Sequence, residues 1–429
     1  GELMIGYNVL VIGAGLAGLT TACLLAQAGK KVLLVAEGAG ALLLAPGCID
    51  VLGYQPAGSK TPVERPLDKL PAFLADWPDH PYRLLGAEAI EAGLQAFAEL
   101  ARDSGLDYRG QAERNWLLPG PAGAVHPTCL APAAMAAGDL RRGGRMLIVG
   151  FHELRDFYPA LIGDNLNAQK LGVRAGAASL EAPPPISGRP NATPIDLARA
   201  FETEAFRQEV VRRVKSKARG YGRVGFPAVL GLERHAGVVA DLQRQLGKPV
   251  FEISTLPPSV PGRRLFEALR RAFQKAGGRF ILGGRIVEGR LAAGRADAVR
   301  LETAARLKTI RAGAYVLATG GVFGGGLQTD AGGRVWEPIF GLPVVADGDR
   351  RAWFEARFLA GDGHPLNRYG LRVNEHLNPV DEGGQPVAAN LFVVGSALAG
   401  SDWTRGRTGD GLAVATAASV AGRVGAGEG

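Results

Sequence analysis

Short runs of consecutive apolar residues alternate with helix-like stretches along most of this chain. Residues 7–12 (YNVLVI) form the first run and residues 31–35 (KVLLV) form the second. A continuous apolar run is typical of a parallel strand that is buried on both faces. The Ala- and Leu-rich stretch from Leu19 to Ala28 lies between them and ends at Gly29, which predicts a helix. The N-terminus is therefore predicted to form a βαβ unit.

The middle of the chain shows the same alternation after a different kind of segment. Beyond about Tyr54, Pro, Trp and charged residues become frequent, which predicts an irregular cap. The alternation resumes near Gly144 without a glycine fingerprint, and it indicates an inserted α/β unit. The predicted strands are 145–151, 176–183, 223–231 and 249–255, and the predicted helices are 155–171, 194–217 and 236–246.

The last third of the chain returns to buried strands that end in small residues. A helix is predicted from Leu265 to Ala276, short strands over 279–310, and buried strands at 314–321 (AYVLATGG) and from residue 390 (NLFVVGSALAG). A glycine turn and an Ala-rich helix close the chain. We predict an α/β, Rossmann-like two-dinucleotide-binding fold with an inserted α/β cap. Its dinucleotide-binding segments would be 1–55, 251–325 and 389–429, and its cap segments 56–250 and 326–388.

Composition limits the function classes. Of 429 residues, 47% are hydrophobic and 21% charged, as in a folded soluble protein. The net charge of +8 is spread without a long basic run, so nucleic-acid binding is not predicted. Cys23, Cys48 and Cys129 lie far apart, which argues against a disulfide framework or an iron–sulfur cluster and favours a reducing compartment. No metal site and no membrane-spanning helix is predicted.

The turn GAGLAG after the first strand predicts a dinucleotide phosphate site. Gly13 permits the tight turn, Gly15 lets a phosphate approach the backbone, and Gly18 lets helix and strand pack closely. The phosphate would bind free N–H groups at the helix start, beside Leu16 and Ala17.

Two further small-residue turns follow strands that would lie beside the first one. They are ATGG and VVGSALAG, and the second is followed by the helix-starting turn GRTGDG. A nicotinamide enzyme needs only the first turn, whereas a flavoprotein of the two-dinucleotide-fold type uses all three. The predicted flavin contacts in these turns are Ala318, Thr319, Gly320, Gly321, Gly395, Ser396, Asp402, Gly409, Asp410, Gly411 and Leu412.

The order of these motifs resembles the fumarate reductase/succinate dehydrogenase branch of flavoproteins. More closely, the chain resembles the B-subunit family of anaerobic glycerol-3-phosphate dehydrogenases. The matching motifs are VIGAGLAGL, PGCIDVLG, NATPIDLARAF, TLPPSVPGRRL, VLATGGVFGGGL, EPIFGLPV and NLFVVGSALAGSD. By this resemblance, the loop with Gly47, Cys48 and Ile49 faces the flavin ring.

The end of the second strand leaves the identity of the flavin open. An acid that binds the adenosine ribose is expected there, but the register places Ala36 at that position, with Glu37 and Gly38 after it. The resemblance implies FMN, which has no such ribose, whereas the fold is suited to FAD. We predict a non-covalent flavin, FMN or FAD, with Ala36, Glu37 and Gly38 as candidate contacts at this strand end. Glu37 is expected to point away from the flavin, unless a small backbone shift lets it reach a ribose hydroxyl of FAD.

Candidate catalytic residues are less well marked. Arg405 and Arg407 flank the last glycine turn, where an arginine could bind an anionic substrate or a reduced flavin. Arg405 and Arg264, which the family resemblance supports, are the candidate catalytic residues. None of the six histidines has metal-ligand spacing, and each is predicted to be a surface or core residue rather than a base.

The resemblance implies a flavoprotein subunit of a membrane-associated complex that oxidises sn-glycerol 3-phosphate to dihydroxyacetone phosphate. A catalytic FAD subunit and an iron–sulfur subunit would pass electrons to quinone. The chain would be cytoplasmic, at the inner face of the membrane, with membrane contact only through its partners. Two alternatives stay open: a self-sufficient flavin dehydrogenase or reductase of a small carboxylate, and a structural subunit whose flavin does not turn over.

Overall fold

A five-stranded parallel sheet forms the centre of the larger part of the molecule. The structure is a computed structural model that describes residues 6–304 and 306–427. The first strand pairs with the second on one side and with the strand Ala312–Leu317 on the other, as the apolar runs predict. The strand order is Arg279–Leu282, Val32–Ala36, Tyr7–Ile12, Ala312–Leu317 and Leu391–Val393.

A second parallel sheet, of four strands, confirms the α/β character of the insert. It has its own hydrophobic core, which extends from Leu117 to Val260. The strand order is Val250–Ile253, Arg223–Pro227, Gly144–Phe151 and Val173–Leu180, and the helices around it are Pro159–Ala168, Pro194–Phe201, Glu204–Val214 and His235–Leu246.

The single helix predicted over 194–217 is wrong, because the chain breaks near Glu202. The Glu202 carboxylate accepts hydrogen bonds from the backbone N–H groups of residues 232–234. Arg207 in turn donates to the carbonyl oxygens of Phe201 and Glu202, at 2.9 and 3.1 Å. The Arg207 bonds satisfy carbonyl groups that a continuous helix would have used, and the Glu202 bonds hold the break against a distant loop.

The irregular cap predicted after Tyr54 is also wrong, because residues 66–103 are mostly helical. The helix Pro66–Asp76 begins with Pro in its first turn, and the helix Tyr82–Asp103 follows. The second of these packs against the last helix, Gly409–Gly425, so closely that a Cβ on Gly93 would lie 2.5 Å from the Ala415 Cα. It therefore belongs to the core of the five-stranded sheet.

The helix predicted from Leu265 begins earlier, at Val260, and ends at Lys275. The hydroxyl of Ser259 accepts a hydrogen bond from the N–H of Gly262 at 3.0 Å and so caps the helix. The Ser259 N–H donates to the Leu43 carbonyl oxygen at 2.9 Å, which ties this helix start to the loop after the second strand.

The remaining elements are smaller and lie around the two sheets. Among the described residues, no helix has the length and hydropathy needed to cross a membrane. A three-stranded antiparallel sheet consists of Arg285–Ala292, Arg295–Glu302 and Leu307–Ile310. Four two-stranded pairs are described: Tyr108–Gly110 with Leu130–Pro132, Trp116–Pro119 with Val125–Thr128, Gln328–Thr329 with Val335–Trp336, and Val344–Val345 with Gly370–Leu371. The other α-helices of the described residues are Leu16–Gln27 and Trp403–Gly406.

Candidate functional site

The turn between the first strand and the first helix has the shape of a phosphate cradle. Gly13 has a φ of +108°, and a Cβ there would lie 2.2 Å from the Ala318 carbonyl oxygen. A Cβ on Gly18 would lie 1.8 Å from the Gly13 carbonyl oxygen, whereas a Cβ on Gly15 would meet no atom within 4 Å. Two glycines are therefore required by packing, and the third borders open space. These are the separate roles that the spacing predicts.

The start of the first helix borders this open space. Within the described part of the chain, no side chain caps the helix at Gly15, and no acidic residue lies in its first turn. Backbone N–H groups and the positive end of the helix dipole are thus left for an anion. The residues present fit the phosphate of a flavin.

The three small-residue turns meet at the carboxyl edge of the large sheet. A Cβ on Gly395 would lie 2.9 Å from the Ala17 Cβ, and one on Gly321 would lie 3.0 Å from the Ser396 carbonyl oxygen. One on Gly320 would lie 3.7 Å from the Ser396 hydroxyl. The structure therefore brings the first, second and third turns together, and their individual contacts with a flavin stay predictions.

Glu37 lies on the surface, directly after the end of the second strand. The second strand ends at Ala36, whose side chain is buried. The Glu37 side chain is 70% exposed, and its carboxylate lies 3.4 Å from the Arg285 Nε. Gly38 follows on the surface. Ala36 therefore occupies the strand end as predicted, and the roles of Ala36, Glu37 and Gly38 at the flavin stay predictions.

The loop with Gly47, Cys48 and Ile49 is fixed against the small antiparallel pairs. The Cys48 thiol lies 3.7 Å from the Met135 sulfur in a buried apolar cluster. Burial raises the pKa of Cys48 well above its ordinary value, and the charges of Asp50 and Asp410 raise it further. The thiol is therefore neutral, and Cys48 acts as a core residue at this position.

Asp50, two residues further along this loop, makes a buried pair with His126. The His126 Nε2 lies 2.9 and 2.8 Å from the two carboxylate oxygens. The side chains of Asp50 and His126 are only 8% and 7% exposed. Burial acts to raise the pKa of Asp50, but the charge and hydrogen bond of His126, with Arg407 nearby, lower it below the ordinary value. Asp50 is therefore an anion inside the protein.

The turn before the last helix supplies the other half of this cluster. Arg407 Nη1 lies 3.4 Å from an Asp50 carboxylate oxygen, and the Arg407 side chain is 42% exposed. The Gly411 N–H donates to the Asp50 carbonyl oxygen at 2.9 Å, which joins the loop to the helix start. Asp410 lies on the first turn of that helix. Burial, followed by the negative charge of Asp50, raises the pKa of Asp410 to about 8.

The sequence did not reveal this cluster, which we call the Asp50 cluster: Asp50, His126, Arg407 and Asp410. Asp50 and Asp410 stand inside the motifs PGCIDVLG and GRTGDG, but His126 comes from a strand 76 residues away from Asp50. The prediction that each histidine is a surface or core residue overlooked this pairing, because no local spacing shows it. The available signals were separate ones: an acid in a loop that was expected to face the flavin, and Arg407 and Asp410 in the last glycine turn.

Arg264 has a different environment from the one predicted. Its Nη1 and Nη2 bond the two Glu252 carboxylate oxygens at 2.8 and 2.9 Å, and its Nε donates to the Gly231 carbonyl oxygen at 2.8 Å. Both Arg264 and Glu252 are buried. We therefore assign Arg264 to the packing of its helix against the four-stranded sheet rather than to substrate binding.

Arg405 and Asp402 lie next to each other near the loop with Gly363. Arg405 Nη1 donates to the Ala360 carbonyl oxygen at 3.0 Å, and its buried Nε has no hydrogen-bond partner among the described residues. Asp402 accepts from the Thr404 N–H at 3.0 Å and so caps a short helix, whereas its second oxygen is buried and likewise unpaired within the described ranges. The predicted role of Arg405 in catalysis and that of Asp402 in flavin binding remain predictions.

Comparison with known proteins identifies a flavin-binding family. Residues 8–412 match the family model described as "FAD binding domain". This match supports a flavin cofactor and favours FAD over FMN. A solved structure of 3-ketosteroid delta1-dehydrogenase from Sterolibacterium denitrificans covers 98% of this chain and all of its own length, with 12% identity and a TM-score of 0.46.

Curated relatives match at higher identity over almost the whole chain. The probable B subunit of anaerobic glycerol-3-phosphate dehydrogenase from Halobacterium salinarum is 35% identical over 435 residues, which covers 96% of each chain. The B subunit of anaerobic glycerol-3-phosphate dehydrogenase from Vibrio cholerae is 33% identical over 425 residues, covering 96% of this chain and 95% of that protein. The chain therefore belongs to the B-subunit family of anaerobic glycerol-3-phosphate dehydrogenases, whose members are flavoprotein subunits of an oxidoreductase complex.

Proposed function

We propose that this chain binds one flavin and takes part in oxidising sn-glycerol 3-phosphate to dihydroxyacetone phosphate. The observation that carries the proposal is the Asp50 cluster, which lies beside the glycine turn 409–411 and next to the loop predicted to face the flavin ring. It combines a partly exposed guanidinium with a buried, paired imidazole. An alcohol that carries an anionic group needs a cation for that group and a base for its hydroxyl proton. A bound flavin would supply the hydride acceptor.

The chain's own residues would position the flavin and keep its phosphate in place. The cradle at Gly13–Gly18 would donate backbone hydrogen bonds to the phosphate, and the turns at Ala318–Gly321 and Gly395–Ser396 would leave room for the rest of the molecule. The family match supports a flavin cofactor, and FAD is the flavin that the match favours.

Electrons would leave the flavin through a partner protein. Burial raises the pKa of Cys23 to about 12 and also raises the pKa of Cys48 and of Cys129, so all three thiols are neutral. Iron–sulfur clusters require thiolates, which these sites disfavour. We therefore propose two partners: a catalytic FAD subunit, whose site would be separate from the one on this chain, and an iron–sulfur subunit that delivers electrons to quinone. The assembly would lie on the cytoplasmic side of the membrane, with membrane contact only through these partners.

The test uses the purified complex under anaerobic conditions. Glycerol 3-phosphate is mixed with the wild-type complex and with a complex that contains the Gly15→Val form of this chain. The difference between the two absorbance changes isolates this chain's flavin. We expect this flavin to be reduced within turnover, and quinone reduction to fall when it is missing.

Two results would contradict the proposal. A flavin that stays oxidised while the complex turns over would indicate a structural subunit. Reduction of the isolated chain by a small carboxylate, but not by glycerol 3-phosphate, would indicate a self-sufficient dehydrogenase of another substrate.

A further inference from the structure

Asp50 fixes the hydrogen-bonding state of the His126 ring. Both Asp50 carboxylate oxygens lie within 2.9 Å of the His126 Nε2, so this nitrogen is the one that carries hydrogen toward the carboxylate. In the neutral His126 ring, the lone pair is therefore on Nδ1. This nitrogen makes no hydrogen bond to a described residue. A buried carboxylate that orients an imidazole in this way also stabilises the imidazolium that forms when Nδ1 takes up a proton.

Arg407 provides a cation next to this imidazole. Its backbone is in the left-handed region, with a φ of +53°, and its side chain lies against Gly53. A Cβ on Gly53 would lie 3.0 Å from the Arg407 Cδ, so Gly53 leaves room for the arginine. Only one of its terminal nitrogens contacts Asp50, which leaves other N–H groups of the guanidinium for an anion.

We propose that His126 accepts the hydroxyl proton of a small secondary alcohol, that Asp50 positions His126, and that Arg407 binds the alcohol's phosphate or carboxylate. The inference rests on the proposed function for its hydride acceptor. The O–H bond of the alcohol breaks and its proton moves to His126 Nδ1. The C–H bond breaks and its hydrogen leaves with the electron pair to the oxidised flavin. The carbon–oxygen bond becomes a carbonyl, so the alcohol loses two electrons and the flavin gains two.

Other titratable groups surround the pair and would shape its pH dependence. Asp410 on the last helix is uncharged at neutral pH, because its pKa is raised to about 8. The Tyr54 hydroxyl donates to the Val125 carbonyl oxygen at 2.7 Å, next to His126 in the chain. Burial raises the pKa of each remaining neighbour, which keeps it neutral; these neighbours are Cys48, Tyr82, Tyr108 and Cys129.

The experiment compares His126→Asn, Asp50→Asn and Arg407→Gln in the flavin-loaded complex. His152→Asn is the matched control, because His152 is exposed in the turn after the strand Gly144–Phe151 of the four-stranded sheet. Flavin content and melting temperature are measured first. Anaerobic stopped-flow then gives the rate of flavin reduction against pH, and flavin absorbance titrations give the dissociation constants of dihydroxyacetone phosphate and malonate.

We expect His126→Asn to slow flavin reduction at least a hundredfold, in the range for a lost general base, and to remove the acidic limb of the pH profile. Dihydroxyacetone phosphate binding should change little in this variant. Arg407→Gln should weaken binding of dihydroxyacetone phosphate at least tenfold without loss of flavin. Asp50→Asn, which keeps the shape of the side chain, should shift the acidic limb and slow reduction.

The outcomes separate this inference from the proposed function. If glycerol 3-phosphate fails to reduce the wild-type flavin but malonate binding still depends on Arg407, the proposed substrate is wrong and the anion site stands. If His126→Asn retains the wild-type rate and pH profile, or Arg407→Gln retains wild-type affinity for both anions, the inference is overturned. If the His126→Asn variant loses its flavin, the Asp50→Asn variant provides the test. A pH profile of flavin reduction that is the same in Asp50→Asn as in the wild type also overturns the inference.

Discussion

Replacing Gly15 by Val should remove flavin binding and leave the protein folded. The fold has room for the substitution, because a Cβ at this position would meet no atom within 4 Å and the backbone φ of −72° suits any residue. The same open space is where the phosphate must approach the N–H groups of the helix start. The valine side chain would therefore compete with the ligand rather than with the protein.

Gly15→Val should weaken flavin binding far more than it lowers the stability of the apo protein. A charged hydrogen bond contributes about 1.5–3 kcal/mol, so loss of two at the phosphate costs about 3–6 kcal/mol, or a hundredfold to ten-thousandfold in the dissociation constant. The apo protein should lose no more than about 1 kcal/mol, since Gly15 occupies a helix N-cap where Val is somewhat less favourable than Gly.

Gly18→Ala is the matched control, because it adds a Cβ where the fold has no room. That Cβ would lie 1.8 Å from the Gly13 carbonyl oxygen and 3.1 Å from the Ala318 Cβ. The clash is removed only if the first helix moves away from the first strand. Overpacking of this kind lowers the free energy of unfolding by about 1–3 kcal/mol or more. Gly18→Ala should therefore lose both flavin and stability.

The assay pairs urea unfolding of the apo chains with titration of the same chains by FAD and by FMN. Wild-type flavin affinity in Gly15→Val would show that the phosphate binds elsewhere. A loss of apo stability as large in Gly15→Val as in Gly18→Ala would refute the assignment of open space to Gly15.

Three further substitutions test other parts of the structure. Glu37→Ala should leave both FMN and FAD affinity nearly unchanged, because Glu37 is exposed and pairs with Arg285; a tenfold loss confined to FAD would show that Glu37 binds the ribose. Asp410 holds its proton to about pH 8 in the folded state, against 3.8 for its ordinary value, so its contribution lowers stability as pH rises between these values. Asp410→Asn should flatten that dependence by up to about 1.4 kcal/mol per pH unit in urea unfolding, and an unchanged slope would refute the shift. Arg264→Ala should cost about 3–5 kcal/mol of stability because Glu252 is left buried and unpaired, whereas Arg264→Met with Glu252→Gln should restore part of it; a loss of substrate affinity at full stability would favour the catalytic role instead.

Local chain patterns predicted much of the fold. The apolar runs at residues 7–12 and 31–35 and the GAGLAG turn identify the βαβ unit, because strand burial and the roles of the glycines are encoded within a few residues. The alternation after Gly144 likewise predicted the α/β insert. Element ends were less accurate, as at Glu202, because hydrogen bonds to distant backbone groups decided where the helix stopped.

Packing between distant segments decided the rest. The sequence alone determined that the chain carries a flavin-type glycine turn and that Ala36, not an acid, stands at the end of the second strand. The tertiary structure decided that the helix Tyr82–Asp103 belongs to the main core and that Arg264 is occupied by Glu252. It also decided that His126 meets Asp50 beside Arg407. A buried Asp–His pair depends on which strands and loops come together in three dimensions, and no short-range pattern in the chain records that.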